Sequence, residues 1–464
     1  MKTYNDLVAV GESEPARIEF ILDAIREHKA SEEYRIAVDA VEYEAQRNVT
    51  INRYRKFLYN LAGEAIPDRF SANRKCASNF FNRFVTQEAA YLLGNGVQFG
   101  NDDTKQRLGK DFDARIYDAG KTALVQGKAF GFYNLDRVKI FGLTEFKPLY
   151  DEEEGALKAG IRFWRLDDNS PLRAFLYEMD GYTEYKEDDR GELKLWKEKR
   201  PYVLKTIKSE ADGERIYDSR NYSEFPIIQL WGNKQKQSEL VGMRENIDCY
   251  DLIKSGFAND LEEAASLYWV IKNAGGLEED VDLRRFLEQL HMVRGTVING
   301  DDVEVSAHTV EVPYQSREVY LTRLEKDMYN DFMAVNPEPI AAGNVTATQI
   351  MAAYEPLNNK VDEFEYCVID FIHGLLAVAG IDDEPEFKRS PISNQVEQVE
   401  MVMLAAQYLD DETIIRSLPF LTPEQADAVI ERRIAEESAI TAPFSEDGAD
   451  DDPATDGTGE VHTE

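Results

Sequence analysis

Cysteine, histidine and positive charge are scarce in this chain, and each shortage closes off a class of function. The three cysteines, Cys76, Cys249 and Cys367, are widely separated and fall in stretches with helical periodicity. That spacing excludes a disulfide framework or a cysteine-ligated metal and predicts free, buried thiols. The five histidines, His28, His291, His308, His373 and His462, form no ligand motif. His373 follows two apolar residues on a predicted helix and reads as a satisfied core histidine. No apolar run is long enough to cross a bilayer. The opening Met-Lys-Thr-Tyr-Asn-Asp lacks the apolar centre of a signal peptide, so a cytosol-like compartment is expected. Lys and Arg number 53 against 88 Asp and Glu, a net charge of −35. A static nucleic-acid binder needs a basic footprint and is disfavoured. A chain this acidic can still surround DNA without gripping it, although solubility alone also accounts for the charge.

Catalytic signatures are missing too. Asp118-Ala-Gly-Lys-Thr122 ends like a phosphate-binding loop, but Arg115 stands where the first glycine is needed and no strand precedes it. Gly94-x-Gly96-x-x-x-Gly100 ends a helix where a dinucleotide fingerprint should begin one. The acid run at 151–154 lacks the alternating ligands of a calcium loop and reads as a hairpin turn. No nucleophile–base pair or paired carboxylates stand out, so neither an enzyme, a cofactor nor a metal is expected.

What is present is ordinary core-forming material, 43% hydrophobic over 464 residues, enough for two to four domains. Helical periodicity marks 16–29, 34–47, 73–93 and 111–127, with Gly94-Asn-Gly96 as the stop of the third. From 130 to 231 the period becomes two. Residues 161–166 read as a strand and 174–185 as a hairpin turning at Asp180-Gly181, with further turns at 151–155 and 187–191. This is an antiparallel meander on a helical base. Helix returns at Ser238, where Leu240, Met243, Ile247, Tyr250, Phe257 and Leu261 share a face. An insertion at 268–312 holds a strand at 268–272, a short helix at 283–290, and strands at 293–298 and 303–312 joined by Asn299-Gly300. An edge strand is expected at Phe387, then helices at 396–409 and from Thr422-Pro423, the latter with a capping box and a proline at its first position. The tail beyond about 442 has no Lys or Arg and reads as disordered.

The most ordered pattern lies at 314–379. Leu321, Leu324, Met328, Phe332 and Val335 step by three and four, and a Pro/Gly loop follows at 336–345. Thr346-x-x-Gln349 is a capping box. Ile350, Tyr354, Leu357, Val361, Phe364, Val368, Phe371 and Leu375 then form a strict apolar seam, with a kink expected at Pro356. A seam this regular wants a partner along its length and would be partly unburied in a monomer. Arg317, Arg323, Lys326 and Lys360 are the basic residues of this region. They read either as paired surface charge or as a sparse basic ring around DNA.

In order, these parts resemble the portal (connector) proteins of tailed bacteriophages, in the subtype of long-tailed phages of Gram-positive hosts. The resemblance covers roughly 40–440. It is carried by Tyr91-Leu-Leu-Gly-Asn-Gly-Val-Gln-Phe99, Val125-Gln-Gly-Lys-Ala-Phe-Gly131, the acid turn before Ile161-Arg-Phe-Trp164, Glu239-Leu-Val through Asn259-Asp260, Val345-Thr-Ala-Thr-Gln-Ile350, Pro391-x-x-Asn394 and Leu418-Pro419. It implies an α+β, mainly α, portal fold with wing, stem, clip and crown, assembled as a homo-oligomer, usually a twelve-subunit ring with an axial channel. The implied parts are a wing (1–237), stem helices (238–267 and 313–335), a clip (268–312) and a tunnel loop (336–345). A long kinked helix returning to the wing (346–392), a crown (393–440) and an acidic tail (441–464) complete them. Implied partners are double-stranded DNA, the terminase large subunit, a head-completion adaptor, and the major capsid and scaffolding proteins, with no membrane. The implied setting is the capsid vertex of a virion assembled in host cytoplasm.

The resemblance assigns Asn336, Glu338, Ile340, Asn344 and Val345 of the loop, with Arg317, Arg323, Lys326 and Lys360, to the DNA channel. It assigns Ile350, Tyr354, Leu357, Val361, Phe364 and Val368 to packing between subunits. The loop carries one charge, Glu338, and so fits moving DNA better than it holds it. A DNA-processing enzyme and a non-channel scaffold or adaptor are the alternatives.

Overall fold

The computed structural model describes residues 2–59, 63–68, 71–101, 103–135, 137–208, 215–264, 268–272, 304–308, 314–341, 346–389, 402–404, 406, 408–418, 421 and 423–441. The helices are α1 (Tyr4–Val10), α2 (Glu14–Ala30), α3 (Glu32–Glu44), α4 (Val49–Arg53), α5 (Phe80–Leu93), α6 (Asp103–Leu108), α7 (Phe112–Gln126), α8 (Arg244–Ala264), α9 (Tyr314–Phe332), α10 (Pro337–Ala341), α11 (Ala347–Ala379), α12 (Asp411–Arg416) and α13 (Pro423–Thr441). Between them lie β1 (Phe57–Tyr59), β2 (Ala65–Pro67), β3 (Val97–Phe99), β4 (Lys128–Tyr133), β5 (Val138–Gly142), β6 (Phe146–Tyr150), β7 (Leu157–Trp164), β8 (Arg173–Glu178), β9 (Gly181–Glu187) and β10 (Leu193–Arg200). The remaining strands are β11 (Val203–Lys208), β12 (Arg215–Arg220), β13 (Ile227–Trp231), β14 (Tyr268–Lys272), β15 (Glu304–His308) and β16 (Pro385–Phe387). The class is α+β.

Local signals explain several boundaries. Thr3 and Asp6 cap α1 reciprocally, and the Ser31 hydroxyl accepts the Tyr34 N–H at the start of α3. The expected meander is a five-stranded antiparallel sheet in the order β10-β9-β8-β7-β6. Its apolar face packs on α1 and α2 through Leu7, Phe20, Ile21, Ile161, Leu176 and Tyr185. A three-stranded sheet, β13-β4-β5, carries an adjoining core of Phe130, Phe132, Phe141, Phe146 and Ile227. β14 pairs with β15, so the strand expected at 303–312 joins the one at 268–272. Its expected partner at 293–298, and the helix at 283–290, lie outside the described residues. β16 pairs with β3 and ties the chain after α11 to the N-terminal region.

Three details depart from the sequence reading. The predicted helix at 73–93 begins only at Phe80, and residues 72–79, including Cys76, lie outside regular secondary structure. The thiols are half-buried, not buried. The expected Gly94-Asn-Gly96 stop is present: Gly96 turns left-handed at φ 74°, while Gly94 stays right-handed at φ −63°. His373 is satisfied by Glu384 at 2.8 Å, yet its side chain is 42% exposed, so it is not a core histidine. Among the residues whose burial is described, the buried histidine is His28, whose Nε2 meets the Leu143 carbonyl at 2.9 Å, and burial lowers its pKa to about 4. The helix at 396–409, the start of the last helix at Thr422 and the acidic tail fall largely or wholly outside the described residues.

By internal contacts the chain forms two units, 1–343 with 351–391, and 344–350 with 392–464. Within the second, Arg416 pairs with Asp427 at 2.9 Å and Arg433 with Asp411 at 2.8 Å. Also within it, Thr346 and Gln349 exchange the two bonds of a capping box, at 3.0 and 3.4 Å. α11 continues as one helix through Pro356.

Candidate functional site

The apolar seam of α11 is the spine of the chain's own core. Tyr354, Leu357, Val361, Phe364, Val368, Phe371 and Leu375 are buried within one copy, and Ile350 is half-buried. Glycines let the helix settle closely. A Cβ on Gly120 of α7 would stand 3.1 Å from Phe364 Cζ, and one on Gly131 of β4 would stand 2.5 Å from Phe371 Cζ. Tyr354, Leu357, Val361, Phe364 and Val368, which the resemblance assigns to packing between subunits, are thus covered by their own chain. Periodicity identified a buried stripe; the partner is intramolecular. The surface that α11 leaves open lies on the opposite side, at Met351, Glu355, Asp362, Tyr366 and Asp370.

Lys360 is enclosed and paired within one copy. Its Nζ lies 2.7 Å from Glu239 and 2.9 Å from Glu88, and sits 3.2 Å from the centroid of the Phe332 ring. Glu88 is 1% exposed, and desolvation raises its pKa to about 7 against the opposing pull of Lys360. This cluster joins α5, α11 and the segment before α8. It borders a polar cavity of about 550 Å³ that also receives Asn233, Asn359 and Glu363. Arg317 pairs with Asp260 at 2.5 Å, and Arg323 with Asp327 at 2.9 Å. Lys326 is exposed and makes no ion pair among the described residues. Of the four basic residues, it alone fits the free-cation reading.

The segment after α9 is more structured than the predicted loop. α9 ends at Phe332, and Met333 turns left-handed at φ 61° while Ala334 N–H bonds back to the Tyr329 carbonyl at 2.9 Å. The Gln87 side chain then clamps Val335, donating to its carbonyl at 3.0 Å and accepting its N–H at 3.1 Å. Asn336 Oδ1 accepts the Glu338 N–H at 3.0 Å and caps α10, a single turn with no buried residue. Asn336, Glu338 and Ile340 line a cleft of about 640 Å³ between α9 and α11, with Lys326, Tyr329, Met333 and Pro356. Asn344 and Val345 lie outside the described residues.

Sequence reasoning missed how α8 is held. Leu240 and Met243, just before it, and Ile247 in its first turn are buried apolar residues as expected, but Leu261 is 53% exposed. The buried face of the second half is polar. Asp251 accepts the Ser78 N–H at 2.8 Å, Ser255 the Cys76 N–H at 2.9 Å, and Asn259 the Arg74 N–H at 2.5 Å. Four helical residues rise about 6 Å and two extended residues about 6.6 Å, so the antiparallel ladder stays in register. Asn48 adds a second donor to Asp251, and burial pushes that carboxyl's pKa up. The recoverable signal was the polar spacing Asp251, Ser255, Asn259.

The arrangement offers a rigid helical frame and a short projecting turn. Among the described residues no group of histidines, cysteines or carboxylates is arranged to hold a metal ion. The family profile described as "Phage portal protein, SPP1 Gp6-like" matches residues 23–440. The chain belongs to this family. It is 23% identical over 382 residues to the portal protein of Clostridium phage phiCD119, covering 76% of this chain and 82% of that one. It is 23% identical over 439 residues to the portal protein of Bacillus phage SPP1, covering 87% and 84%. A chain from the neck of an empty GTA particle, solved with C6 symmetry, aligns with 77% of this chain and 90% of its own length at 11% identity and a TM-score of 0.39. Portal function follows from family membership, and none of the described helices is long and apolar enough to cross a membrane.

Proposed function

We propose that copies of the chain form a ring, twelve in the number the family implies, at one capsid vertex of a virion assembled in host cytoplasm. Double-stranded DNA passes through its axial channel during packaging and ejection. The residues 268–312 receive the terminase large subunit and later the head-completion adaptor, and the major capsid and scaffolding proteins surround the wing. The chain has no catalytic activity of its own. The observation that carries this reading is the length of the family match, 23–440, which takes in the helices from α3 to α12, the meander and the insertion. The turn at Asn336–Ile340 approaches DNA with one charge, Glu338, and Lys326 supplies the nearby cation.

Negative-stain imaging and native mass of the purified protein test the assembly. A ring with a central hole is expected. A homogeneous monomer under all conditions overturns it and favours the scaffold or adaptor reading, which the internal seam of α11 makes physically admissible. An ATPase assay on the same sample tests the absence of catalysis. Deleting 336–345 is expected to spare assembly and impair packaging; unimpaired packaging removes the role of the turn.

A further inference from the structure

The β1–β2 hairpin is apolar on both faces and buried on neither. Leu58 faces Ile66 across the ladder, and Phe57 and Tyr59 pair with Pro67 and Ala65 on the other face. All six strand residues are exposed, with Phe57 at 46%, Leu58 at 48%, Ile66 at 50% and Tyr59 at 72%. A surface hairpin normally alternates apolar and polar residues, and a two-stranded sheet is marginal without something packed on it. Yet this one is firmly rooted. Asp68 N–H bonds to the Lys56 carbonyl, Lys56 Nζ reaches the Ala72 carbonyl, and the chain then enters the α8 ladder, where Arg74 pairs with Glu262.

The hairpin is also basic within an acidic chain. Residues 53–75 hold six Lys or Arg and two Asp or Glu, whereas the whole chain carries −35. Arg53 and Arg55 at its root are exposed and make no ion pair among the described residues. We propose that this hairpin is an assembly arm that docks on the outward face of α11 in a second copy of this chain. The proposal rests on the assembly reading above. On that face Tyr366, 68% exposed, has Asp362 one turn before it and Asp370 one turn after. Asp362 also accepts from Arg389, while Asp370 makes no ion pair among the described residues. The span from 362 to 370 is about 12 Å and a three-residue strand covers about 10 Å, so aromatic side chains and guanidiniums meet an aromatic flanked by carboxylates over comparable lengths. A protein surface fits better than DNA. Two unpaired guanidiniums neutralise few phosphates, and Leu58 and Ile66 would stay exposed against a duplex.

The test places a benzophenone amino acid at Tyr59 in full-length chains and mixes light and heavy isotope-labelled copies. Irradiation of assembled material is expected to give light–heavy hybrid cross-links to 351–379. Cross-links confined to one copy overturn the proposal. Phe57→Ser with Tyr59→Ser is expected to raise the concentration for half-assembly at least tenfold while circular dichroism and melting temperature stay unchanged. If that variant misfolds, Arg55→Glu is expected to weaken assembly and Asp370→Arg to restore it. Wild-type rings with variants that assemble equally well sink the arm alone, and wild type that never assembles sinks both readings. Variants that assemble normally but lose retention on DNA overturn the protein partner in favour of nucleic acid.

Discussion

Gln87 holds Val335 by both its backbone groups, so the chain leaving α9 is fastened to α5 at one residue. Val335 is 2% exposed, and neither group has ready access to water. Gln87→Leu orphans a buried N–H and a buried C=O together, and the expected loss is about 2–4 kcal/mol in urea unfolding. Gln87→Glu keeps the acceptor, loses the donor, and should fall between. A change below about 0.5 kcal/mol in either variant would show that the clamp is not formed.

Lys360 and Lys326 separate two roles that look alike in the sequence. Lys360→Met leaves the buried Glu88 and the half-buried Glu239 without a counter-ion, and destabilisation of about 3–5 kcal/mol is expected. Adding Glu88→Leu should recover much of it. Lys326→Ala is expected to stay within about 0.5 kcal/mol of wild type in the same melts. If DNA passes this surface, Lys326→Ala alters packaging at elevated salt without altering stability.

Two buried groups give stability opposite slopes with pH. Glu88 has its folded pKa raised from 4.5 to about 7, so the folded state holds the proton more tightly. That contribution is lost as pH rises across this window and is level above it. His28 has its folded pKa lowered from 6.5 to about 4, so the unfolded state takes the proton first. Its contribution is lost as pH falls across that window. Between about pH 4.5 and 6.5 the two oppose each other. Thermal melts of Glu88→Gln should therefore gain a steeper positive slope with pH than wild type, and those of His28→Gln a more negative one. Parallel curves for all three proteins would contradict this assignment.

Gly131 lies under Phe371, and no side chain fits there without movement. Gly131→Val is expected to cost about 1–3 kcal/mol by overpacking β4 against α11. A neutral melt would mean that the sheet and α11 are not in close contact.

The elements whose signals are local were the most legible. The capping box at Thr346 and Gln349, the turn at Asp180-Gly181 and the meander follow from neighbouring residues and appear where the pattern puts them. The seam of α11 was equally legible as a stripe, but a period reports that residues are buried and not what buries them. Only the tertiary fold shows Phe364 and Phe371 against Gly120 and Gly131 of the same chain. The stretch before Phe80 misled for a related reason. Its residues tolerate helix, but Arg74, Cys76 and Ser78 give their N–H groups to α8 instead. Tertiary hydrogen bonds outweigh a weak propensity there. Lys360 read as a surface cation because Glu88 and Glu239 are more than a hundred positions away in sequence.

The enclosure of α11 within one copy bears on how larger structures are made. A chain that completes its core alone needs no partner to fold, so its melting temperature should not move with protein concentration below the assembly threshold. Subunits can then accumulate as finished parts, and joining them becomes a matter of rigid surfaces, salt and concentration. Errors in joining are reversible without unfolding anything.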